Sequence, residues 1–390
     1  IDWDLVIIDE AHRLRNVYKP SNKIANVLKS AFNHVPKILL TATPLQNQIE
    51  ELFGLVSIID EYTFGDIKSF KSQFSKPTEE GFFELKKRLE PICKRTLRKH
   101  VTEYINFTKR IAIVEEFWPF PEEEQLYDEV SEYLRRPALY ALPVSQRALM
   151  TLVLRKLLAS STYAIHDTFK ALENKLVKLL EDQKGSDEEF FSQEFETFDE
   201  LKDEWEDEDG QEIVLEKIVL SADQIEEANS ELLEIRRFRE MAYAIRKNSK
   251  GEKLFTALEK GFEKLSELGA SQKALIFTES TRTQQYLKNI LEARGYQGKI
   301  VLFNGSNTDP QSIGIYNDWL RRHKGTDKIS GSRTADTRQA IVDWFRNEAT
   351  IMIATEAASE GINLQFCSLI VNYDLPWNPQ RIEQRIGRCH

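Results

Sequence analysis

The sequence predicts an α/β protein with two parallel-sheet lobes joined by a helical insertion. Three observations carry that expectation. Short apolar runs ending in polar residues occur near both ends of the chain, strand-free helical periodicity fills the middle, and 390 residues exceed what one ordinary core organises.

The opening run Leu5 to Ile8 reads as a strand that delivers Asp9 and Glu10 to its carboxyl end. A helical stretch from about Ser21 to Asn33 follows, then a strand from Lys37 to Leu40 ending at Thr41. Strand, helix, strand with polar tips is the pattern of a parallel sheet, whose ligands sit at the carboxyl ends of its strands. From Pro119 the periodicity turns helical, through Glu123 to Arg135, Ser145 to Gln183 and Ala222 to Arg246. A buried-type strand returns at Lys273 to Thr278, followed by a helix near Thr281 to Arg294 and strands at Lys299 to Phe303, Thr350 to Ala354 and Ser368 to Asn372. The expected division is therefore residues 1–118 for the first lobe, 119–250 for the helical insertion or linker and 251–390 for the second lobe. The polar stretch 307–337 is a helix-bearing insertion or a mobile loop within that second lobe.

Composition limits the function. With 41% hydrophobic and 30% charged residues the chain is expected to be soluble, and no apolar run approaches the roughly 18 residues of a membrane span. The first residues lack a basic leader and are not expected to be a signal peptide. Cys93, Cys367 and Cys389 form neither a C-x-x-C pair nor an even set, which suits a reducing, cytoplasmic setting. The net charge of −10 argues against a phosphate-binding surface until its distribution is seen. Between Asp187 and Glu212 stand 14 acids and one lysine, so this segment carries −13 and the rest about +3.

Two strand tips carry the chemistry. Asp9, Glu10, Ala11 and His12 spell D-E-A-H, and adjacent acids can divide the work of phosphoryl transfer to water, one holding magnesium and the other orienting and deprotonating the water. Four letters alone are equally an ordinary acidic turn. At the next tip stand Leu40, Thr41, Ala42, Thr43 and Pro44, followed by Leu45, Gln46, Asn47, Glu51 and Leu52, and the paired hydroxyls can hydrogen-bond the acidic motif.

Together these residues resemble superfamily-two helicases, and L-T-A-T-P-L-Q-N followed by E-L resembles the SWI/SNF-like members, bacterial ones included. The resemblance continues in order. Lys94 to Lys99 and Val101 look like the basic segment closing the first lobe, and Lys273 to Ser280 like the strand opening the second. Phe303 to Ser306 look like a turn near the nucleic-acid backbone, and Ile353 to Leu364 like the motif that touches both ATP and nucleic acid. Asp374 to Pro379 match the W-N-P element, and Gln384 to Arg388 the arginine motif.

The resemblance implies two RecA-like lobes, a DNA-dependent ATPase, ATP and magnesium as cofactors, and nucleic acid, specifically double-stranded DNA, as partner. Asp9, as magnesium ligand, and Glu10 are then catalytic, with Arg388 and Arg385 as finger candidates. Arg388 fits the motif spacing better, because Arg385 falls where many SWI/SNF-like members have no arginine. A guanidinium suits the task, being permanently charged and able to fork onto two phosphate oxygens. His12, Thr41, Thr43, Gly361, Asn363 and Gln384 are implied for ATP binding or coupling, Gly361 because a residue without Cβ permits close backbone approach to phosphate. Thr355, Asn304, Gly305 and Trp377 are implied for nucleic-acid contact, although a lone tryptophan also reads as packing.

One motif of the family is absent. No G-K-T occurs, so the phosphate cradle that the family places before D-E-A-H is missing, and the first lobe is expected to be incomplete. These residues are accordingly expected to be cut from a longer motor and, alone, not to turn over ATP. Translocation along duplex DNA is favoured over strand separation by the resemblance alone. A catalytically silent nucleic-acid-binding or regulatory protein remains the rival, and DNA over RNA is likewise a family inference because phosphate contacts do not read bases.

The acidic segment 185–212 has a further expectation. Phe191, Phe195, Phe198, Leu201 and Trp205, spaced four, three, three and four apart, place one apolar stripe on an acidic helix. It either packs on neighbouring helices or forms a DNA-mimicking or partner-binding arm.

Overall fold

The computed structural model describes residues 3–20, 22–42, 44–45, 48–76, 78–96, 110–142, 147–182, 221–356 and 362–389. The acidic segment 185–212 and the basic residues 97–101 lie outside them. The chain divides into two compact units, residues 1–107 and 108–390. The helical region and the second sheet share the latter. Among the described residues, no helix is long and apolar enough to cross a membrane.

The first unit holds a parallel pair, β1 (Val6–Ile8) and β2 (Lys37–Leu39), connected through α1 (Lys23–Ala31). Asn22 starts α1 by accepting the Ala25 amide at 3.2 Å, the usual role of a short polar side chain at a helix start. Three further helices follow, α2 (Glu50–Ile59), α3 (Ile67–Phe74) and α4 (Glu79–Leu89). One face of the pair is covered: Ile8 and Leu39 pack on Ala11, Leu14, Val17, Ala25, Leu55 and Ile58. On the other, Ile7 stands directly opposite Ile38, and both are exposed, with Leu5 and Leu40 exposed beside them. Parallel sheets are ordinarily covered on both faces, whereas among the described residues this second face is open.

The second unit begins with helices α5 (Pro121–Tyr133), α6 (Arg147–Ser160), α7 (Thr162–Asp182) and α8 (Ala222–Ala244), which share one apolar core around Tyr133, Leu154, Phe169 and Phe238. The single helical stretch expected from Ser145 to Gln183 is broken at Ser161, whose Oγ accepts the Ala164 amide at 3.1 Å while Asn248 Oδ1 accepts the Thr162 amide at 3.0 Å. Local side-chain acceptors there satisfy the starting amides of a new helix.

Helix α9 (Ser249–Glu267) leads into a four-stranded parallel sheet of β3 (Ala274–Phe277), β4 (Ile300–Phe303), β5 (Ile351–Ala354) and β6 (Leu369–Asn372), in the order β4-β5-β3-β6. All residues of β3, β4 and β5 are buried, in keeping with their unbroken apolar sequences. Helices α10 (Thr281–Leu291), α11 (Pro310–His323), α12 (Arg333–Asn347) and α13 (Pro379–Gly387) complete the unit. The polar stretch 307–337 thus contains one helix and the start of another, pinned by the buried Trp319, whose Nε1 donates to Asp343 at 2.8 Å.

Candidate functional site

In the first unit, Asp9 and Glu10 occupy the turn directly after β1. Asp9 is exposed and its Oδ1 accepts the Glu10 amide at 2.8 Å. Glu10 holds a left-handed backbone, φ 48° and ψ 43°, unusual for a residue with a Cβ and worth about 1 kcal/mol or more of local strain. From there the chain enters a short 3₁₀ turn, Ala11–Leu14, anchored by the Ala11 amide on the Leu40 carbonyl at 2.9 Å. His12 is thereby brought between the two motifs: its Nδ1 lies 3.2 Å from Glu10 Oε2 and 3.4 Å from Thr41 Oγ1. Thr43 lies outside the described residues.

What supports this turn is α2. Gly54 lies so close to the chain after the motif that a Cβ there would stand 1.8 Å from the Arg15 carbonyl oxygen. The buried Glu51, from the E-L that follows the threonine motif, approaches Arg15 Nε at 3.5 Å. Two adjacent carboxylates on an open turn are a donor set that fits magnesium, a hard cation that takes oxygen ligands.

The expected residues of the second unit that are described lie after β4, β5 and β6, at the end where open parallel sheets bind ligands. After β4, Asn304 and Asn307 close a turn reciprocally: the Asn304 amide donates to Asn307 Oδ1 at 2.9 Å and the Asn307 amide to Asn304 Oδ1 at 2.7 Å. Asn304 is buried and its Nδ2 donates to Gln284, so it builds the turn, while Gly305 and Ser306 form the exposed tip. Thr355, expected to meet a nucleic-acid phosphate, is fully buried in this conformation, its amide donating to the Phe303 carbonyl at 3.0 Å. Asn363 is exposed and Gly361 lies outside the described residues. The Leu364 amide donates to the Arg388 carbonyl at 3.0 Å, which joins the Asn363 segment to the arginine motif.

The two arginines of α13 and its end differ sharply. Arg388 is half-buried, as is Gln384. Arg385 is wholly buried: Nη2 donates to Glu356 Oε2 at 2.6 Å, and Nη1 donates to Asn372 Oδ1 at 3.0 Å and to the Asp374 carbonyl at 2.9 Å. Its guanidinium carbon lies 4.7 Å from the Phe277 ring centroid. The triphosphate contact expected of Arg385 therefore meets a side chain already engaged by protein groups, because a buried charge needs a full set of partners.

The residues around this helix come both from the motifs and from outside them. Asp374, in the loop after β6, is buried and its Oδ2 accepts from Thr278 Oγ1 at 2.6 Å, Ser160 Oγ at 2.8 Å and the Glu279 amide at 3.2 Å, while Oδ1 accepts from Lys250 Nζ at 2.7 Å. Burial alone would raise its pKa, but the Lys250 ammonium and the two hydroxyls outweigh that and hold it below the usual carboxylate range. Lys156 of α6 pairs with the buried Glu279, and its Nζ lies 4.5 Å from the ring centroid of Trp377, which is exposed. Asp374 and Glu279 stand inside recognised motifs, but nothing in a helical sequence marks Lys156 or Ser160.

An acidic turn after a parallel strand and an arginine-bearing helix beside a second parallel sheet place the chain in the class of α/β proteins whose candidate ligand-binding residues lie at the carboxyl ends of parallel strands. The chain belongs to the SNF2-related family: residues 1–209 match the SNF2-related domain and residues 282–390 the helicase conserved C-terminal domain. It is 30% identical over 393 residues to the uncharacterized ATP-dependent helicase YqhH of Bacillus subtilis (strain 168), covering 100% of this chain and 53% of that protein. It is 22% identical over 395 residues to the chromodomain-helicase-DNA-binding protein 3 homolog of Caenorhabditis elegans, covering 100% of this chain and 17% of that protein. The chain thus spans about half the length of the first relative and less of the second. Among solved structures, the Sulfolobus solfataricus SWI2/SNF2 ATPase core in complex with dsDNA aligns at 18% identity over 99% of this chain and 61% of that chain, with a TM-score of 0.34.

Proposed function

We propose that this chain is part of a motor that hydrolyses ATP in the cytoplasm to move along double-stranded DNA without separating its strands. The observation that carries the reading is the tie from Glu10 through His12 to Thr41, with Nδ1 at 3.2 Å and 3.4 Å from the two oxygens. It links the acidic motif to the strand tip that bears the threonine motif, as coupling of hydrolysis to movement requires.

In this mechanism Asp9 holds magnesium, which supplies charge neutralisation for the phosphates when bound with ATP. Glu10 orients the attacking water and takes its proton, with His12 beside it fixing the carboxylate. Arg388 neutralises charge developing on the transferred phosphoryl group, a role worth about 10³ to 10⁵ in rate for finger arginines. Arg385 instead holds the end of α13 in place from below. Asn363 and Gln384 adjoin the nucleotide, and Gly305, Ser306 and Trp377 meet the nucleic-acid backbone. Such contacts carry affinity without reading sequence.

The test is steady-state ATP hydrolysis by the full-length gene product with and without duplex DNA, beside Glu10→Gln and Arg388→Ala. Stimulation by duplex DNA, lost in both variants, supports the reading. Absence of hydrolysis in the wild type refutes it and leaves the silent nucleic-acid-binding protein. Displacement of a triplex-forming third strand with the duplex left intact identifies translocation, and release of single strands identifies a helicase. For segment 185–212, deletion of residues 185–211 should raise DNA-free hydrolysis or DNA affinity if it is an arm that fills the DNA site, and unchanged values would eliminate that role.

A further inference from the structure

The helical region meets the second sheet at one polar cluster. Lys156 and Ser160 are four residues apart on α6 and so project from one face. Ser160 Oγ donates to Asp374 Oδ2 at 2.8 Å and lies 2.8 Å from Thr283 Oγ1. The Tyr373 hydroxyl donates back to the Ser160 carbonyl at 3.1 Å. Lys156 pairs with Glu279 and sits over Trp377. The loop between β6 and α13 is therefore held from the helical region at Tyr373, Asp374 and Trp377. On its other side, the carbonyl of the same Asp374 accepts Arg385 Nη1 at 2.9 Å, and Arg385 lies one helical turn before Arg388.

A stability role explains this cluster poorly. Glu279 Oε2 is buried without a hydrogen-bond partner. Burial pushes the Lys156 ammonium down and the Glu279 carboxyl up, each against the attraction of the other, so the pair carries a desolvation cost. Replacing such a pair by apolar side chains is often neutral or stabilising. Features that break a packing rule without a gain in stability concentrate where geometry matters to function.

We propose that Lys156 and Ser160 are positioning residues for hydrolysis, through which the helical region sets the placement of the arginine-motif helix by way of Asp374 and Trp377. This rests on the reading that Arg388 acts on the phosphoryl group. Neither residue touches the reacting atoms in this scheme; each acts through the loop.

The experiment uses the full-length protein and DNA-stimulated hydrolysis. Lys156→Met should lower kcat about tenfold, the scale expected of a small displacement of a catalytic group, with KM for ATP within about twofold. Lys156→Arg should restore at least about half of kcat by keeping the charge. Ser160→Ala, which removes one hydroxyl with its two hydrogen bonds and keeps the fold if Lys156→Met does not, should lower kcat about threefold, again without a KM change. Lys170→Met, at an exposed site on the next helix, should leave all constants unchanged. Trp377 gives a readout that generic destabilisation does not move: the emission difference between wild type and Lys156→Met should vanish in a Trp377→Phe background, all other tryptophans being retained. If the wild type hydrolyses ATP and Arg388→Ala does not, yet Lys156→Met and Ser160→Ala keep wild-type kcat, this proposal fails and the proposed function stands. A parallel rise in KM or loss of Lys156→Arg activity would also overturn it. If the wild type does not hydrolyse ATP, both fall.

Discussion

Arg385 donates to Glu356 at 2.6 Å from a guanidinium with no surface open to solvent, which makes the arginine motif a buried anchor at one residue and a half-buried charge three residues later. The structure thus separates two arginines of one motif, of which Arg388 already fitted the motif spacing better. Arg385 fixes where the end of α13 lies relative to β5 and β6, and Arg388 is carried by that placement.

Removing the buried anchor should unfold the second unit more easily. Arg385→Met leaves the partly buried Glu356 carboxylate without its main partner and should cost about 3 kcal/mol. Arg385→Lys should recover little, since one ammonium cannot reproduce the fork onto Glu356, Asn372 and Asp374. Urea denaturation monitored by circular dichroism measures both.

Arg388→Ala should separate from it cleanly. Hydrolysis by the full-length protein should fall about 10³-fold or more. Its urea midpoint should change by about 0.5 kcal/mol equivalent or less, as for a side chain outside the core. A destabilisation as large as that of Arg385→Met would remove Arg388 from its proposed role.

Gly54→Ala should disturb the acidic turn without touching it. Its Cβ would stand 1.8 Å from the Arg15 carbonyl oxygen, a backbone atom that cannot swing aside as a flexible side chain could, so α2 must move away. The expected loss is about 1 to 3 kcal/mol, together with reduced hydrolysis in the full-length protein. Wild-type stability of this variant would show that α2 does not brace the turn.

The pH dependence of stability follows from Asp374. Burial favours its neutral acid, but Lys250, Thr278 and Ser160 more than offset this and depress the folded value. A depressed carboxyl stabilises the fold above the ordinary carboxylate range, near about pH 4, and that contribution is lost as pH falls through the folded value. The stability difference between wild type and Asp374→Asn should therefore shrink on acidification below about pH 4 and stay constant above about pH 6. A difference that grows in acid would reverse the assigned sign.

The open face of the first sheet predicts the behaviour of the 390 residues by themselves. Ile7 and Ile38, directly paired and exposed, should make this chain self-associate and bind hydrophobic dyes. The Ile7→Thr, Ile38→Thr double variant should reduce both with a stability change of about 1 kcal/mol or less, checked by light scattering and urea titration. The same 390 residues should show no ATP turnover, because no phosphate-binding loop is among them.

Strand positions were legible because short apolar runs with polar tips have few other uses. Val6–Ile8, Lys37–Leu39, Ala274–Phe277, Ile300–Phe303, Ile351–Ala354 and Leu369–Asn372 each fall inside the expected segment. The break at Ser161 was not legible, since it depends on Asn248, 86 residues away in sequence, accepting the Thr162 amide. Burial of Asn304, Thr355 and Arg385 was equally hidden: each stands in a motif whose letters are the same whether the side chain faces a ligand or a neighbour.

By itself the sequence determined the α/β class, the family and the order of the motifs, because these depend on local periodicity and on residue types at fixed spacing. Only the tertiary structure decided which arginine is an anchor, and that Lys156 and Ser160 of a helix without any motif grip the loop that leads to it. Burial and charge pairing are sums over residues far apart in sequence, as between Ser160 and Asp374, and no local pattern encodes such a sum.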